Sequence, residues 1–482
     1  MSLRQKAVQG IAWSFIQSYG NQAISLLVFL LLARLLGPEA FGLIALANIF
    51  IHFTQIFLDQ GLSEAIIQRK DLEPEHLDSA FWSNIGSGAL LMSIGMIGAP
   101  IMAQVFEEPQ LIPVIRALSL TLLIGGLNGV QQAILRRSLA FRIIAIRSLI
   151  AALSGAAVAI VMALHGMGVW SLIGLTLTDR VVGAIILWRV NDWRPGFRFS
   201  LKHFKDLFRF GVNVVGIVIL VFISRRVDDF LIGYFLGPVT LGYYSIAYRV
   251  LTIMTQTLCD QPQKVAMPTF SKLQEDLDKF QGAFYKTSQM LSLVTFPLFC
   301  GIVVLAPEIV RGVFGRQWEP SIPVLQCLMV AGCLQSLFYF CSPALMAKGK
   351  PFWSLTLFFL NTVFSVIGFL SVVHWGIVAV SISLVGVAIA MCPVYLWVLH
   401  KQLHIKIIPF LGKYVPALSA SLAMVGMITV AKYLFGDALI PLAALAVYGV
   451  IGALTYIAAT FLVAPILFRQ VFGLARSLVS SS

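Results

Sequence analysis

Residues 225–249 read RRVDDFLIGYFLGPVTLGYYSIAYR. Apolar side chains dominate both arms flanking the Leu236-Gly237-Pro238 turn. With its neighbours, each arm reaches the length of about 20 residues that a helix needs to cross a hydrocarbon core. The runs are continuous rather than alternating, which selects helices over the strands of a membrane barrel, and helices satisfy their own backbone groups in lipid. Four charges interrupt the first arm: Arg225, Arg226, Asp228 and Asp229. At 100° per residue they fall within about 160° of the helical wheel, so one side of the helix holds all four away from lipid.

The same pattern extends along the chain. Hydrophobic residues make up 59% of the 482 positions and charged residues 11%, too little polar surface to cover a water-soluble fold. Fourteen spans are expected, at about 11–36, 40–62, 79–106, 112–134, 144–165, 167–189, 207–236, 239–265, 283–306, 320–345, 352–373, 375–399, 412–435 and 438–467. The first is long and lacks a small-residue cleavage pattern, so it reads as a span rather than a cleavable signal. The expected fold class is an all-α polytopic membrane protein.

Charge sets the orientation. On the side holding the N-terminus the breaks between spans carry 25 Lys and Arg, including four assigned to the break after the fourth span: Arg136, Arg137, Arg142 and Arg147. The other side carries four (Arg34, Arg311, Arg316 and Lys432), and five lie within spans (Arg116, Arg180, Arg225, Arg226 and Arg249), completing the 34 basic residues. The positive-inside rule then places both termini in the cytoplasm. The net charge of +13 follows from topology and anionic lipid headgroups, and no nucleic-acid partner is expected. The six cysteines (Cys259, Cys300, Cys327, Cys333, Cys341 and Cys392) all fall within spans, with no CxxC pair and no His at ligand spacing, so neither a disulfide frame nor a metal site is expected.

Leu36-Gly37-Pro38 with Gly42 returns as Leu236-Gly237-Pro238 with Gly242, an offset of 200. Ile112-Pro113-Val114 matches Ile322-Pro323-Val324, and Gly168-Val169 matches Gly376-Ile377, at offsets of 210 and 208. Six spans separate each pair, so the halves are parallel repeats. They predict a six-helix lobe over 1–200, a second over 201–405 and two additional helices over 406–482. A substrate site between lobes is the plan such transporters share.

Polar residues mark the expected pathway. The first span carries Ser14, Gln17, Ser18, Asn21, Gln22 and Ser25 at three- and four-residue spacing, and the second carries Asn48, His52, Gln55 and Asp59. The eighth carries Tyr248, Arg249, Thr252, Thr255, Gln256 and Asp260. Charge at such depth is costly unless it faces a cavity or another charge, so the first, second, seventh and eighth spans are expected to line a chamber. Two plainer readings stand beside this one. The hydroxyls and amides serve equally well as glue between helices. The seventh-span charges also form an internal network, with Arg225 in reach of Asp228 and Asp229, and Arg226 in reach of Asp229. Asp179-Arg180 in the sixth span is a weaker signal, because adjacent residues point about 100° apart.

The segments LLARLLGPEAFGLIALANIF (31–50), GLSEAIIQRK (61–70), RRVDDFLIGYFLGPVTLGYYSIAYRV (225–250), FPLFCGIVVLAPEIVRGVFGRQWEPSIPVLQ (296–326) and MAKGKP (346–351) resemble the bacterial polysaccharide transporter family. This is the O-antigen and colanic-acid exporter branch of the superfamily that also holds multidrug extruders and lipid II flippases. The resemblance implies a MATE-like fold in the bacterial inner membrane. It implies a flippase moving undecaprenyl-diphosphate-linked oligosaccharide to the periplasmic leaflet for surface polysaccharide assembly, by ion-coupled alternating access. The chain would then be no enzyme and hold no cofactor, with a proton or sodium gradient as driving force. Its partners would be lipid-linked oligosaccharide, membrane lipids and the polysaccharide polymerase or assembly machinery.

On that reading Arg225, Arg226 and Arg249 suit the diphosphate, whose oxygens a guanidinium can grip bidentately. Asn21, Gln17, Asn48, Gln55 and Tyr248 suit sugar hydroxyls, and Asp59, Asp228, Asp229, Asp260 and His52 are the ion-coupling candidates. A drug or organic-cation antiporter would want an acidic, aromatic chamber with few arginines. A membrane polymerase or ligase would want a larger external loop than the segment near 307–319.

Overall fold

The computed structural model describes residues 3–59, 62–69, 71–198, 200–435 and 440–465, with side chains for all of these except 3–8, 11, 59, 64 and 201–218. The chain is an all-α multi-pass membrane protein. Thirteen helical segments among the described residues are long and apolar enough to cross a membrane. They correspond to the fourteen expected spans, because the segment Ile219–Lys272 holds the eighth together with residues 219–236 of the seventh, whose remainder lies in the same helix. Gly237 breaks the helix between them, with φ 81° and ψ 173°, ahead of Pro238. Two compact units result, Met1–Gly242 and Tyr243–Ser482.

In the first unit α1 (Leu3–Leu35), α2 (Pro38–Asp59) and the short α3 (Leu62–Gln68) precede two antiparallel pairs. These are α4 (Pro74–Val105) with α5 (Leu111–Arg137), and α6 (Phe141–Leu164) with α7 (Val169–Val190). Small residues set the pairing, since helix association in lipid depends on close backbone approach rather than on a hydrophobic drive. A Cβ on Gly88 would lie 2.9 Å from the Leu122 carbonyl oxygen, and one on Gly155 would lie 2.7 Å from that of Leu175. Asn21 on α1 donates to Ser148 Oγ on α6 at 2.5 Å, a polar link between the two helices.

The connection after α7 is pinned to α4. Gly196 N–H donates to Asp78 Oδ1 at 3.0 Å, Trp82 Nε1 donates to the Gly196 carbonyl at 2.8 Å, and Ser200 N–H donates to Ser79 Oγ at 3.0 Å. Arg194 in this connection caps the carbonyls of Trp188 and Trp193 at 2.8 and 2.9 Å. Some of the basic residues that the positive-inside count treated as loop charge therefore also serve local structure. The chain then enters the long α8 (Leu201–Thr255).

In the second unit a π-helical turn (Gln256–Asp260) leads from α8 into α9 (Gln261–Lys272) and α10 (Leu277–Ile309). The helices α11 (Ser321–Ser336), α12 (Cys341–Ala347), α13 (Pro351–Val372) and α14 (Ile377–Leu403) follow. Phe270, Phe280, Phe284, Phe340 and Phe410 form its aromatic centre. Gly168 and Gly376, matched in the repeat, immediately precede α7 and α14 with φ of 54° and 97°. Only glycine adopts that region without strain, so a shared backbone requirement underlies the match.

The last helices, α15 (Ile407–Gly412), α16 (Val415–Phe435) and α17 (Pro441–Val463), include the two expected additional spans. Both spans pack on α10 through a cluster holding Leu305, Met424, Ile428 and Tyr448. Tyr456 OH donates to the Leu293 carbonyl at 2.8 Å, and Lys432 Nζ pairs with Glu308 at 2.7 Å.

Candidate functional site

The four charges of the broken helix do not act as one network. Arg226 pairs with Asp229 at 2.8 Å, and the two side chains are 34% and 5% exposed. Asp228 is buried beside it and its Oδ1 accepts from the Asp229 N–H at 3.0 Å. Arg225 is exposed and forms no ion pair with a described residue. Of the two adjacent arginines, Arg226 is paired with a carboxylate and Arg225 is exposed.

On α2, facing this cluster, His52 Nδ1 and Gln55 Oε1 lie 3.2 Å apart, and Arg226 and Arg180 are the charged neighbours of His52. Asn48 on the same helix is half-buried, as is Gln17 on α1. The Asp59 side chain lies outside the described residues. In the second unit Tyr248 stacks on Tyr244 at 5.8 Å, Arg249 is exposed, and Asp260 accepts a hydrogen bond from Tyr339 OH. The expected site residues therefore form one group in the first unit and another in the second.

Gln55 leads to a feature the sequence reading passed over. It lines a cavity of about 270 Å³ inside the first unit, together with Asn84 of α4, Thr121, Asn128 and Gln132 of α5, and the arginines Arg136, Arg147 and Arg180. Arg147, counted from sequence with the basic residues of the preceding break although it falls within the expected span 144–165, lies six residues inside α6. Arg136 occupies the last turn of α5. Arg180 belongs to the Asp179-Arg180 pair that counted as a weak signal. At 1.5 Å per residue, Arg180 and Asn84 each stand about 15 Å from the ends of their helices that meet the 191–200 connection.

Local packing positions these groups. Arg147 crosses to α7, where its Nε donates to the Gly183 carbonyl at 3.1 Å. A Cβ on Gly183 would lie 2.7 Å from Arg147 Nη2, so the glycine makes room for the guanidinium. Asn84 lies in a similar hollow, its Nδ2 2.7 Å from where a Gly129 Cβ would stand. Asp179, Arg180 and Arg136 are the charged neighbours of Arg147. The described lining contains three guanidinium groups and no carboxylate. The run Gly125-Gly126-Leu127-Asn128-Gly129-Val130-Gln131-Gln132 was the available sequence signal, since small residues interleaved with amides in a span mark close helix packing around polar groups. Among the described residues no group of His, Cys, Asp and Glu is arranged to hold a metal ion.

Comparison with known proteins gives three results. A family model described as polysaccharide biosynthesis protein matches residues 31–323. The lipopolysaccharide biosynthesis protein WzxC of Escherichia coli K12 is 28% identical over 352 residues, 73% of this chain and 72% of that one. The teichuronic acid biosynthesis protein TuaB of Bacillus subtilis 168 is likewise 28% identical, covering 72% of this chain and 73% of that one. Among solved structures, the lipid II flippase MurJ in an inward closed conformation superposes with a TM-score of 0.76 at 14% identity, covering 96% of this chain and 100% of that one. An inward-facing multidrug resistance MATE family transporter follows with a TM-score of 0.61 at 19% identity, covering 80% and 96%. These two likenesses identify the fold, the MATE-like helical architecture expected from the sequence.

Proposed function

Starting from the fact that this chain belongs to the polysaccharide biosynthesis protein family, we propose that it is a flippase. Its cargo would be a lipid-linked oligosaccharide carried on undecaprenyl diphosphate, moved from the cytoplasmic to the periplasmic leaflet. The single observation that carries this reading is Arg225, an exposed guanidinium on a membrane-spanning helix whose neighbouring Arg226 is already paired with Asp229. An unpaired charge at that depth is expensive unless it meets water or an anion, and a diphosphate is the anion such a cargo supplies. Arg249, exposed on the following helical arm, would add a second guanidinium for the diphosphate oxygens.

The movement is alternating access of the two sequence repeats, 1–200 and 201–405, driven by a proton or sodium gradient without a bound cofactor or a hydrolytic step. Asp228, Asp229, Asp260, His52 and Asp59 are the groups through which the ion would act. The chain sits in the inner membrane with both termini cytoplasmic and delivers its cargo to the polysaccharide polymerase or assembly machinery. The test is lipid analysis of a clean deletion strain. Lipid-linked oligosaccharide should accumulate in the cytoplasmic leaflet while its synthesis continues. Normal surface polysaccharide in a strain without a redundant homologue overturns the reading, and altered drug tolerance with unchanged glycan points to an antiporter instead.

A further inference from the structure

We infer that the cavity among α2, α4, α5, α6 and α7 is a binding site for a phosphorylated saccharide headgroup. Two independent features of its wall specify the ligand. Arg136, Arg147 and Arg180 converge on it, and Asp179, the charged neighbour of Arg147 and Arg180, stands outside the described lining, so positive charge is in excess at the wall. Like charges gathered in an apolar bundle are held at a cost that an anion with several acceptor oxygens relieves. Phosphate suits this wall better than a single carboxylate, because separate guanidinium groups need separate oxygens to grip.

The second feature is a pair of orphaned amides. Asn84 and Asn128 are only 2% and 7% exposed. Their Oδ1 atoms are buried and have no hydrogen-bond partner among the described residues, and since both side chains line the cavity, a turn of the amide brings its oxygen to a donor held there. A buried acceptor left without a donor forfeits the hydration it had in water and gains nothing in exchange. An amide oxygen needs a donor, which phosphate oxygens do not provide and sugar hydroxyls do. Cations beside orphaned acceptors therefore match a group that carries phosphate and hydroxyls together, as a glycosyl diphosphate does.

The volume of about 270 Å³ lies just under the range of about 300–1,000 Å³ typical of small-molecule pockets. It suits a headgroup and its first sugar rather than a whole oligosaccharide. The assignment of a lipid-linked cargo rests on the flippase reading, whereas the phosphate and hydroxyl chemistry rests on the cavity alone. The site lies on helices of the first unit and involves neither Arg225 nor Arg249.

The experiment uses the purified full-length chain in detergent and calorimetric titration with four probes: inorganic pyrophosphate, farnesyl diphosphate, glucosyl farnesyl diphosphate and phosphatidylglycerol bicelles. Pyrophosphate should bind, and Arg147→Gln and Arg180→Gln should each weaken it about tenfold or more. Gln132→Glu is nearly isosteric, keeps all three arginines and adds a carboxylate to the lining, so it should weaken pyrophosphate to a similar degree in a protein of unchanged thermal stability. Asn128→Ala should remove the advantage of the glucosylated probe over farnesyl diphosphate and leave pyrophosphate unchanged. Unchanged pyrophosphate affinity in a folded Gln132→Glu protein overturns the site. Equal binding of the two farnesyl probes to the wild type overturns its saccharide half, and displacement of the glucosylated probe by phosphatidylglycerol at equal concentration assigns the cavity to lipid headgroups. A deletion strain with normal glycan, alongside cavity-dependent pyrophosphate binding, would sink the flippase reading and leave the site standing.

Discussion

Gly42 packs its Cα against the carbonyl oxygen of Pro238, too close for any Cβ to fit between them. Gly242 meets the carbonyl of Pro38 in the same way. These four residues are the two copies of the sequence repeat, so the turns at Gly37 and Gly237 meet reciprocally, each lending its proline carbonyl to the glycine of the other. The copies are not identical in backbone, since Gly237 has a positive φ and Gly37 does not.

Substituting either glycine by Ala should therefore force backbone apart rather than a flexible side chain, with a loss of about 1–3 kcal/mol. Gly86 on α4 is the control, because a Cβ there meets nothing within 4 Å. Gly86→Ala should leave stability unchanged or raise it, by about 0.5–1 kcal/mol where the gain in helix propensity is realised. Thermal unfolding of the detergent-solubilised variants measures both. Equal melting temperatures for Gly42→Ala and wild type would show that the contact is looser than described.

The charges on α8 allow a cleaner experiment than the sequence suggested, because the structure selects Arg226 as the partner of Asp229. Arg226→Ala leaves a buried carboxylate alone and should cost about 3–5 kcal/mol, seen as lost abundance in the membrane. Arg226→Met with Asp229→Leu should restore abundance. Arg225→Ala should keep wild-type abundance and lose export, and Arg225→Lys should recover export only in part, since an ammonium lacks the bidentate fork. Export at the wild-type rate in Arg225→Ala would remove that residue from the cargo path.

A similar argument applies to the two C-terminal spans. Lys432 Nζ donates to the Val304 carbonyl at 2.5 Å and to Glu308 at 2.7 Å, fastening α16 to α10. Lys432→Ala should destabilise the protein by about 1–3 kcal/mol by leaving Glu308 unpaired, whereas Lys432→Met with Glu308→Leu should be close to neutral. Chemical denaturation followed by tryptophan fluorescence distinguishes these outcomes, and additive losses in the double variant would refute coupling.

Topology is testable with single cysteines at exposed positions. Arg316→Cys in the turn after α10 should react with an impermeant maleimide in intact spheroplasts, and Asp192→Cys should react only after lysis. Labelling of Asp192→Cys from outside would invert the orientation inferred from the 25-to-four distribution of basic residues.

The spans, their helical state, the break at Gly237 and the repeated turns were legible in the sequence. Each depends on local properties: continuous hydrophobicity over one bilayer thickness, and a glycine or proline where the backbone must leave the helix. Tertiary structure alone decided which of Arg225 and Arg226 takes Asp229, since both lie within side-chain reach along one helix. It also decided the cavity. Asn84, Asn128, Arg147 and Arg180 come from four helices, and nothing in their spacing along the chain announces that they converge. They meet because Gly129 and Gly183 leave hollows for Asn84 and Arg147, a relation between one helix's missing Cβ and another's long side chain. Periodicity within a span records which residues share a face. It carries no record of which face of a distant helix lies opposite, and that pairing set the Arg147 guanidinium against Gly183 of α7.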